Sequence, residues 1–177
     1  DQRRIAKTAN FGILYGISAF GLSQRLHIGR AEAKKIIEDY FSNFPAISSY
    51  IEDTLASARE FGYVETLFGR RRYLPDINSR NATVRALAER TAINAPIQGT
   101  SADIIKLAMV NVDRRIAEED LQSRMVLQIH DELLFDALPE EGEKLERIVR
   151  EEMENVIELS IPLTVECNYG NNWLEAH

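Results

Sequence analysis

Prolines and glycines in this 177-residue chain fall at the ends of its apolar stripes, and that punctuation constrains the fold more than any other feature. A first helix is expected from Gln2 to Tyr15, broken near Gly16. Ala33, Ile36, Ile37, Tyr40, Phe41 and Phe44 form a helical stripe over 28–44. Pro45 then opens a second helix, with Ile47, Tyr50, Ile51, Leu55 and Ala58 inward and Gly62 as its stop. Tyr63 to Leu74 predicts a short hairpin turning at Gly69, with Arg70, Arg71 and Arg72 just past the turn and Pro75 closing it. Asn81 is the expected N-cap of a long helix that reaches Asn94 or beyond. Pro96 and Gly99 are expected to interrupt that helix. Thr100-x-x-Asp103 then reads as a capping box opening another, which buries Ile105, Ala108, Val112 and Ile116.

Met125 to Ile129 and Leu133 to Phe135 are nearly continuous apolar runs, expected as strands covered on both faces. Pro139 leads a final helix with Leu145, Ile148, Val149, Met153 and Val156 inward, and Leu163 to Cys167 reads as a last strand. No repeat or low-complexity segment interrupts this order. Helices come first, then hairpin, helix and strand, which is an α+β pattern with one good-sized core or two small lobes.

No stretch approaches the roughly 20 consecutive apolar residues of a membrane helix, and no signal-peptide pattern is seen. The single cysteine, Cys167, excludes an internal disulfide and fits a reducing, cytosolic setting; a small buried apolar group is its expected role. A net charge of -7 argues against a nucleic-acid partner until the chain is divided. Residues 1–100 hold 14 Lys/Arg against 10 Asp/Glu, whereas residues 101–177 hold 7 against 18. One half is suited to an anionic partner, and the other to cations or solvent. Much of the acidic excess lies in Glu140 to Glu158, where a solvated helix face is expected.

Arg3, Lys7, Phe11 and Tyr15 recur every four residues, so they form a slowly winding face about 18 Å long on one helix. Arg3 and Lys7 could grip a triphosphate, and Phe11 and Tyr15 could stack on a base or sugar. The alternative is a solvated basic end followed by a buried aromatic end. Gly12 and Gly16 favour the ligand reading, because a flat ligand needs close backbone approach. Asp131 and Glu132 follow a strand in a short turn, and magnesium is commonly held by one or two carboxylates plus substrate phosphates. A polar turn facing water is the alternative. A phosphohydrolase of the His-Asp type would need further helical ligands, but His27 and His177 are poorly placed for it. Arg90, Asn94 and Gln98 repeat the spacing of four, and all can donate to minor-groove acceptors; a water-facing polar stripe has comparable weight.

These segments resemble those of the family A, polymerase-I-type DNA polymerases. Arg3-x-x-x-Lys7-x-x-x-Phe11-Gly12-x-x-Tyr15-Gly16 looks like the family's fingers-helix motif. Gln128-Ile129-His130-Asp131-Glu132 looks like its palm motif, usually written with Val where Ile129 stands. Gly62 to Thr66, Gly69-Arg70-Arg71, Ala92 to Thr100 and Asn172-Trp173 near His177 are similar to family segments as well. The resemblance implies a helical fingers-like portion over 1–80. It also implies a palm-like portion over 81–177, with part of an antiparallel palm sheet and packed helices.

It further implies template-directed deoxynucleotidyl transfer to a primer 3′ end, in DNA replication and repair, in the bacterial cytoplasm near the nucleoid. Arg3 and Lys7 would bind the phosphates of the incoming deoxynucleoside triphosphate, with Lys7 a candidate proton donor to pyrophosphate. Phe11 would stack on the nucleotide, and Tyr15 would sit by the templating base. A phenylalanine at position 11 implies a preference for deoxy- over dideoxynucleotides. Asp131 would ligate Mg2+ as a catalytic aspartate, Glu132 would support it, and Arg90, Asn94, Gln98 and His130 would touch primer-template DNA. The family's other catalytic aspartate belongs to an upstream palm strand, so the chain, starting at Asp1, is expected to be a fragment that is inactive alone. The missing strand would leave an open sheet edge and invite self-association. A non-catalytic module that holds duplex DNA ends is the competing function.

Overall fold

The structure, a computed structural model, describes residues 2–176; the expectations attached to Asp1 and His177 lie outside the described residues. The chain divides into two compact units, Asp1–Gly99 and Thr100–His177. It is α+β: helices dominate, with two small antiparallel sheets of two strands each.

The first unit opens with α1 (Gln2–Leu14), α2 (Ala19–Leu26), α3 (Arg30–Asn43) and α4 (Pro45–Phe61). The helix α2 is not foreshadowed by a stripe, since it is eight residues long and buries Leu22 and Ser23 alone. Local chemistry makes it: the Ser18 hydroxyl accepts the Gly21 N–H at 3.1 Å, and His27 closes it in a left-handed conformation (φ 55). Pro45 sits in the first turn of α4 and Gly62, at φ 76, ends it, both as expected. The Gly62 N–H bonds to the Ala58 carbonyl at 2.9 Å, and the Gly62 carbonyl accepts from the Leu74 N–H at 2.8 Å. One glycine therefore ends the helix and closes the following hairpin, β1 (Tyr63–Glu65) with β2 (Arg71–Tyr73). Val64 pairs with Arg72 and Glu65 with Arg71. Ala58, Val64, Leu74, Ile77, Ala88 and Ala92 form the core beneath it.

The long helix α5 (Ala82–Glu118) corrects one expectation. Asn81 caps it as foreseen, its Oδ1 accepting the Thr83 N–H at 3.0 Å and the Val84 N–H at 3.4 Å. Pro96 and Gly99, however, do not interrupt it, and Thr100-x-x-Asp103 opens no new helix. An interior proline forfeits one N–H bond and costs about 3 kcal/mol in an exposed helix. Here that cost is borne where Ala92 and Ile93 are buried and Ala95 packs against the core. Gly99 is a contact point rather than a stop. A Cβ there would lie 2.6 Å from Thr66 Cγ2, and the Gly99 carbonyl accepts from Arg70 Nη2 at 3.0 Å.

The second unit contains the remainder of α5, β3 (Arg124–Ile129), β4 (Glu132–Asp136), a single 3-10 turn at Pro139–Glu141, α6 (Gly142–Glu154) and α7 (Trp173–Ala176). Val112, Ile116, Leu145 and Val149 form its core, with Met125, Phe135 and Met153 packed against it. The strands are not covered on both faces, since Val126 is 56% and Leu127 50% exposed. The pairing skips Val126: Met125 opposes Phe135 and Leu127 opposes Leu134, a β-bulge. No strand forms at 163–167. The Val165 N–H bonds to Glu154 Oε1 at 3.0 Å and its carbonyl accepts from Arg150 Nη1, so α6 side chains take the groups a strand neighbour would use. Cys167 is half-buried rather than buried, and burial pushes its thiol pKa up.

The acidic stretch is also less solvated than its composition suggests. Arg115 on α5 bonds to Glu152 at 2.7 Å and to Glu119 at 3.0 Å. Glu141 accepts from the Gln122 N–H at 2.9 Å, the Ser123 N–H at 2.8 Å and the Ser123 hydroxyl at 2.6 Å. Ser123 is 1% exposed and accepts in turn from the Leu138 N–H at 3.0 Å.

Two outcomes follow from these contacts. Gly99→Ala gains about 1 kcal/mol of helix propensity but drives a methyl into the rigid Thr66 side chain, at a cost of about 1–3 kcal/mol. A lower Tm by scanning calorimetry is expected, and a raised Tm would mean that the hairpin gives way freely. The Glu141 carboxyl is held below its ordinary 4.5 by the Gln122 N–H first, then by the Ser123 hydroxyl. Its folded pKa being lowered, its contribution is complete above the unfolded value and is lost as pH falls through the folded one. Stability measured between about pH 5 and 3 should therefore fall less steeply in Glu141→Gln; an unchanged slope would exclude this carboxylate as a source of acid lability.

Candidate nucleotide and nucleic-acid site

The sequence spacing of four places Lys7, Phe11 and Tyr15 along one side of α1, and all three are exposed, as is Arg3. Lys7 Nζ lies 6.0 Å from the Phe11 ring centroid. The Phe11 and Tyr15 rings are 6.4 Å apart and 22° from parallel. Phe11 is 50% and Tyr15 39% exposed, so this aromatic end is not buried in the core.

The glycines beside these rings have a role in the helix end itself. The Gly16 N–H bonds to the Ile13 carbonyl at 2.9 Å and the Ile17 N–H to the Gly12 carbonyl at 2.8 Å, a Schellman cap with Gly16 at φ 72. Ile17 folds back over Gly12, where a Cβ would meet its Cγ2 at 3.2 Å. Gly12 and Gly16 thus serve the end of the helix. A Cβ on Gly16 would also lie 3.3 Å from Arg90 Cγ and 4.0 Å from Ile93 Cδ1, so the tip of α1 rests on the part of α5 that carries Arg90 and Asn94.

On α5, Arg90 and Gln98 are exposed, whereas Asn94 is half-buried. Asn94 Oδ1 is buried without a hydrogen-bond partner among the described residues, and the Tyr50 hydroxyl donates to the Ile93 carbonyl beside it at 3.2 Å. Pro96 does not disturb the spacing of these three residues, because the helix runs through it.

In the second unit, Ile129 pairs with Glu132, which leaves His130 and Asp131 as a two-residue turn. His130 takes φ 54, the left-handed region favoured by such turns, and its carbonyl accepts from Gln128 Nε2 at 2.7 Å. Asp131 is exposed at the tip, and Glu132 is half-buried at the start of β4. The donor chemistry fits Mg2+ in part. Asp131 offers hard oxygen ligands to an ion that keeps several waters. Among the described residues no three His, Cys, Asp or Glu side chains come together as a metal cage.

One further feature is formed by residues distant in the sequence. Val64, Thr66, Arg70, Arg72, Gln98 and Gly99 help line a cleft of about 280 Å³ between the β1–β2 hairpin and α5. The run of three arginines was its only sequence signal.

A family model of DNA polymerase family A matches residues 1–175. DNA polymerase I of Bacillus caldotenax is 53% identical over 176 residues, 99% of this chain and 20% of that protein. The thermostable DNA polymerase I of Thermus aquaticus is 52% identical over 175 residues, 99% of this chain and 21% of its own length. Among solved structures, the polymerase domain of Pol1 from M. smegmatis, in complex with DNA primer-template and dNTP, superposes with a TM-score of 0.95 at 49% identity. That match covers 98% of this chain and 31% of the other. The chain belongs to DNA polymerase family A. It spans about a fifth of the length of the curated relatives it matches.

The cap at Gly16 can be tested directly. Gly16→Ala forces a methyl-bearing residue into a positive φ beside Arg90, at a cost of about 1–2 kcal/mol. Faster amide exchange at Gly16 and Ile17 is expected; unchanged exchange would mean that the cap is not what ends α1.

Proposed function

We propose that this chain is the fingers-to-palm portion of a DNA-directed DNA polymerase, which adds deoxynucleotides to a primer 3′ end. The observation that carries the reading is the exposed Lys7–Phe11–Tyr15 face of α1 in a chain matching DNA polymerase family A over residues 1–175. Residues 1–80 serve as the fingers-like portion and 81–177 as the palm-like portion. Primer-template DNA and a deoxynucleoside triphosphate are its partners, in the bacterial cytoplasm; no helix among the described residues is long and apolar enough to cross a membrane.

Arg3 and Lys7 hold the triphosphate, a fork and a point charge respectively, and Lys7 delivers a proton to the departing pyrophosphate. Phe11 stacks on the incoming nucleotide and Tyr15 lies by the templating base. Arg90, Asn94, Gln98 and His130 fix the primer-template, so that the 3′-hydroxyl and the α-phosphate are aligned before reaction. Asp131 would hold Mg2+, with Glu132 in support. When bound, the ions supply charge stabilisation for attacking and leaving oxygens. Asp131 and Glu132 carry too few carboxylates for two ions, so the rest of the set comes from other parts of the longer polymerase, and this chain alone is inactive.

Magnesium-dependent addition of one nucleotide to a primer-template tests the reading, with this chain run beside a version extended upstream. Extension by the longer protein only is expected. In that longer protein, Asp131→Ala should lower the rate at least about a hundredfold and Lys7→Ala should weaken nucleotide binding about tenfold. Full activity of Asp131→Ala, or extension by the 177-residue chain alone, would overturn the metal assignment.

A further inference from the structure

The cleft between the β1–β2 hairpin and α5 contains an arginine that the fold does not use. Its three arginines are in different states. Arg70 donates to the Gly99 carbonyl at 3.0 Å, which fixes the wall of the cleft. Arg71 is spent on Glu65 at 2.7 Å and lies 4.4 Å over the Tyr63 ring. Arg72 pairs across the ladder with buried Val64, so strand alternation puts it on the face opposite Glu65 and Arg71. Among the described residues the Arg72 side chain has no hydrogen bond or ion pair, although its backbone belongs to the ladder, and the residue lines the cleft with Thr66 and Gln98. Glu65 and Arg71 also line the cleft, and Glu65, the one acidic residue among its described lining residues, is already paired with Arg71.

A guanidinium held at a cleft without an internal partner is suited to a phosphate, which it can bind as a planar fork. The Thr66 hydroxyl accepts from the Phe68 N–H at 3.3 Å and the Arg70 N–H at 3.2 Å; Thr66 is 9% exposed and lines the cleft, and a hydroxyl that accepts twice still carries one proton to donate. Gln98, exposed on the opposite wall, can donate to a base edge while the arginine holds the backbone. Phosphate contacts set register, and base contacts read.

We propose that Arg72, with the Thr66 hydroxyl, binds one backbone phosphate of the DNA strand contacted by Gln98, and so acts as a positioning residue for the primer-template. This rests on the polymerase reading only in taking DNA as the ligand. Arg70 and Gly99 are the fixed frame, because their bond and the missing Cβ keep the hairpin close to α5.

The test is equilibrium binding of a fluorescein-labelled primer-template to the 177-residue chain by anisotropy, repeated over a salt series. Loss of one phosphate contact should lower the slope of log K against log salt by about 0.9. Arg72→Gln should show that loss with a several-fold weaker Kd for two unrelated DNA sequences, and Arg72→Lys should recover most of the slope. Arg71→Gln, whose charge is paired internally, should leave the slope nearly unchanged. An unaltered slope in Arg72→Gln, an equal loss in Arg71→Gln, or no saturable binding by the wild-type chain would each overturn the proposal. So would a competition series in which Arg72→Gln loses affinity for free triphosphate but not for DNA. Primer extension by the longer protein is a separate readout. Normal extension with an unaltered slope rejects the phosphate site alone, and a changed slope with no extension rejects the polymerase reading alone.

Discussion

Both cores are seated on a single helix. Ala88 and Ala92 of α5 lie in the first cluster, while Val112 and Ile116 lie in the second. The helix therefore has to persist through Pro96, and packing, not propensity, makes it do so. Small residues at 88 and 92 let Val64 and Leu74 come close, and Gly99 lets the hairpin turn touch the helix. Arg90, Asn94 and Gln98 depend on the same persistence, since a break at Pro96 would place Gln98 off their line. Fold and candidate DNA contacts thus share one backbone requirement.

The charge asymmetry resolves into two kinds of electrostatics. Around the first unit's candidate surfaces, Lys7 is exposed beside an aromatic ring and the Arg72 side chain has no partner among the described residues, so positive charge remains available for a polyanion. In the second unit several of the carboxylates are engaged. Arg115 lowers the pKa of Glu119, and Arg150 with the Tyr169 hydroxyl lowers that of Glu146. The Tyr169 hydroxyl itself, desolvated and bonded to Glu146 at 2.8 Å, is pushed up to about 12. These carboxylates hold α6 to its neighbours. The acidic half is consequently a poor guide to where a cation binds, and Asp131 stands out by its place at a turn.

Legibility in the sequence followed the range of the interactions involved. Helices α3, α4 and α6 were readable because their stripes are periodic, and the Gly62 stop and Asn81 cap because each is a local backbone event. The helix α2 rests on a serine cap too slight to stand out, and the absent strand at 163–167 on side chains of Glu154 and Arg150 that no periodicity reveals. The face of α1 is visible from spacing, whereas the cap that Gly12 and Gly16 form depends on Ile17 folding back. Of the Arg72 cleft the sequence shows only its run of three arginines, not its walls. The cleft exists only once Arg70 meets Gly99, 29 residues away.

The bulge at Val126 separates two demands on one hairpin. At the base, Met125 and Phe135 are committed to the core, and their register can hardly change. At the tip, the turn that carries Asp131 is set by the pairs beyond the bulge. An extra residue between them adds local twist, which is spent on direction rather than on packing. The direction of the carboxylate is thus set by the strand segment beyond the bulge, and the packing is set by the segment before it.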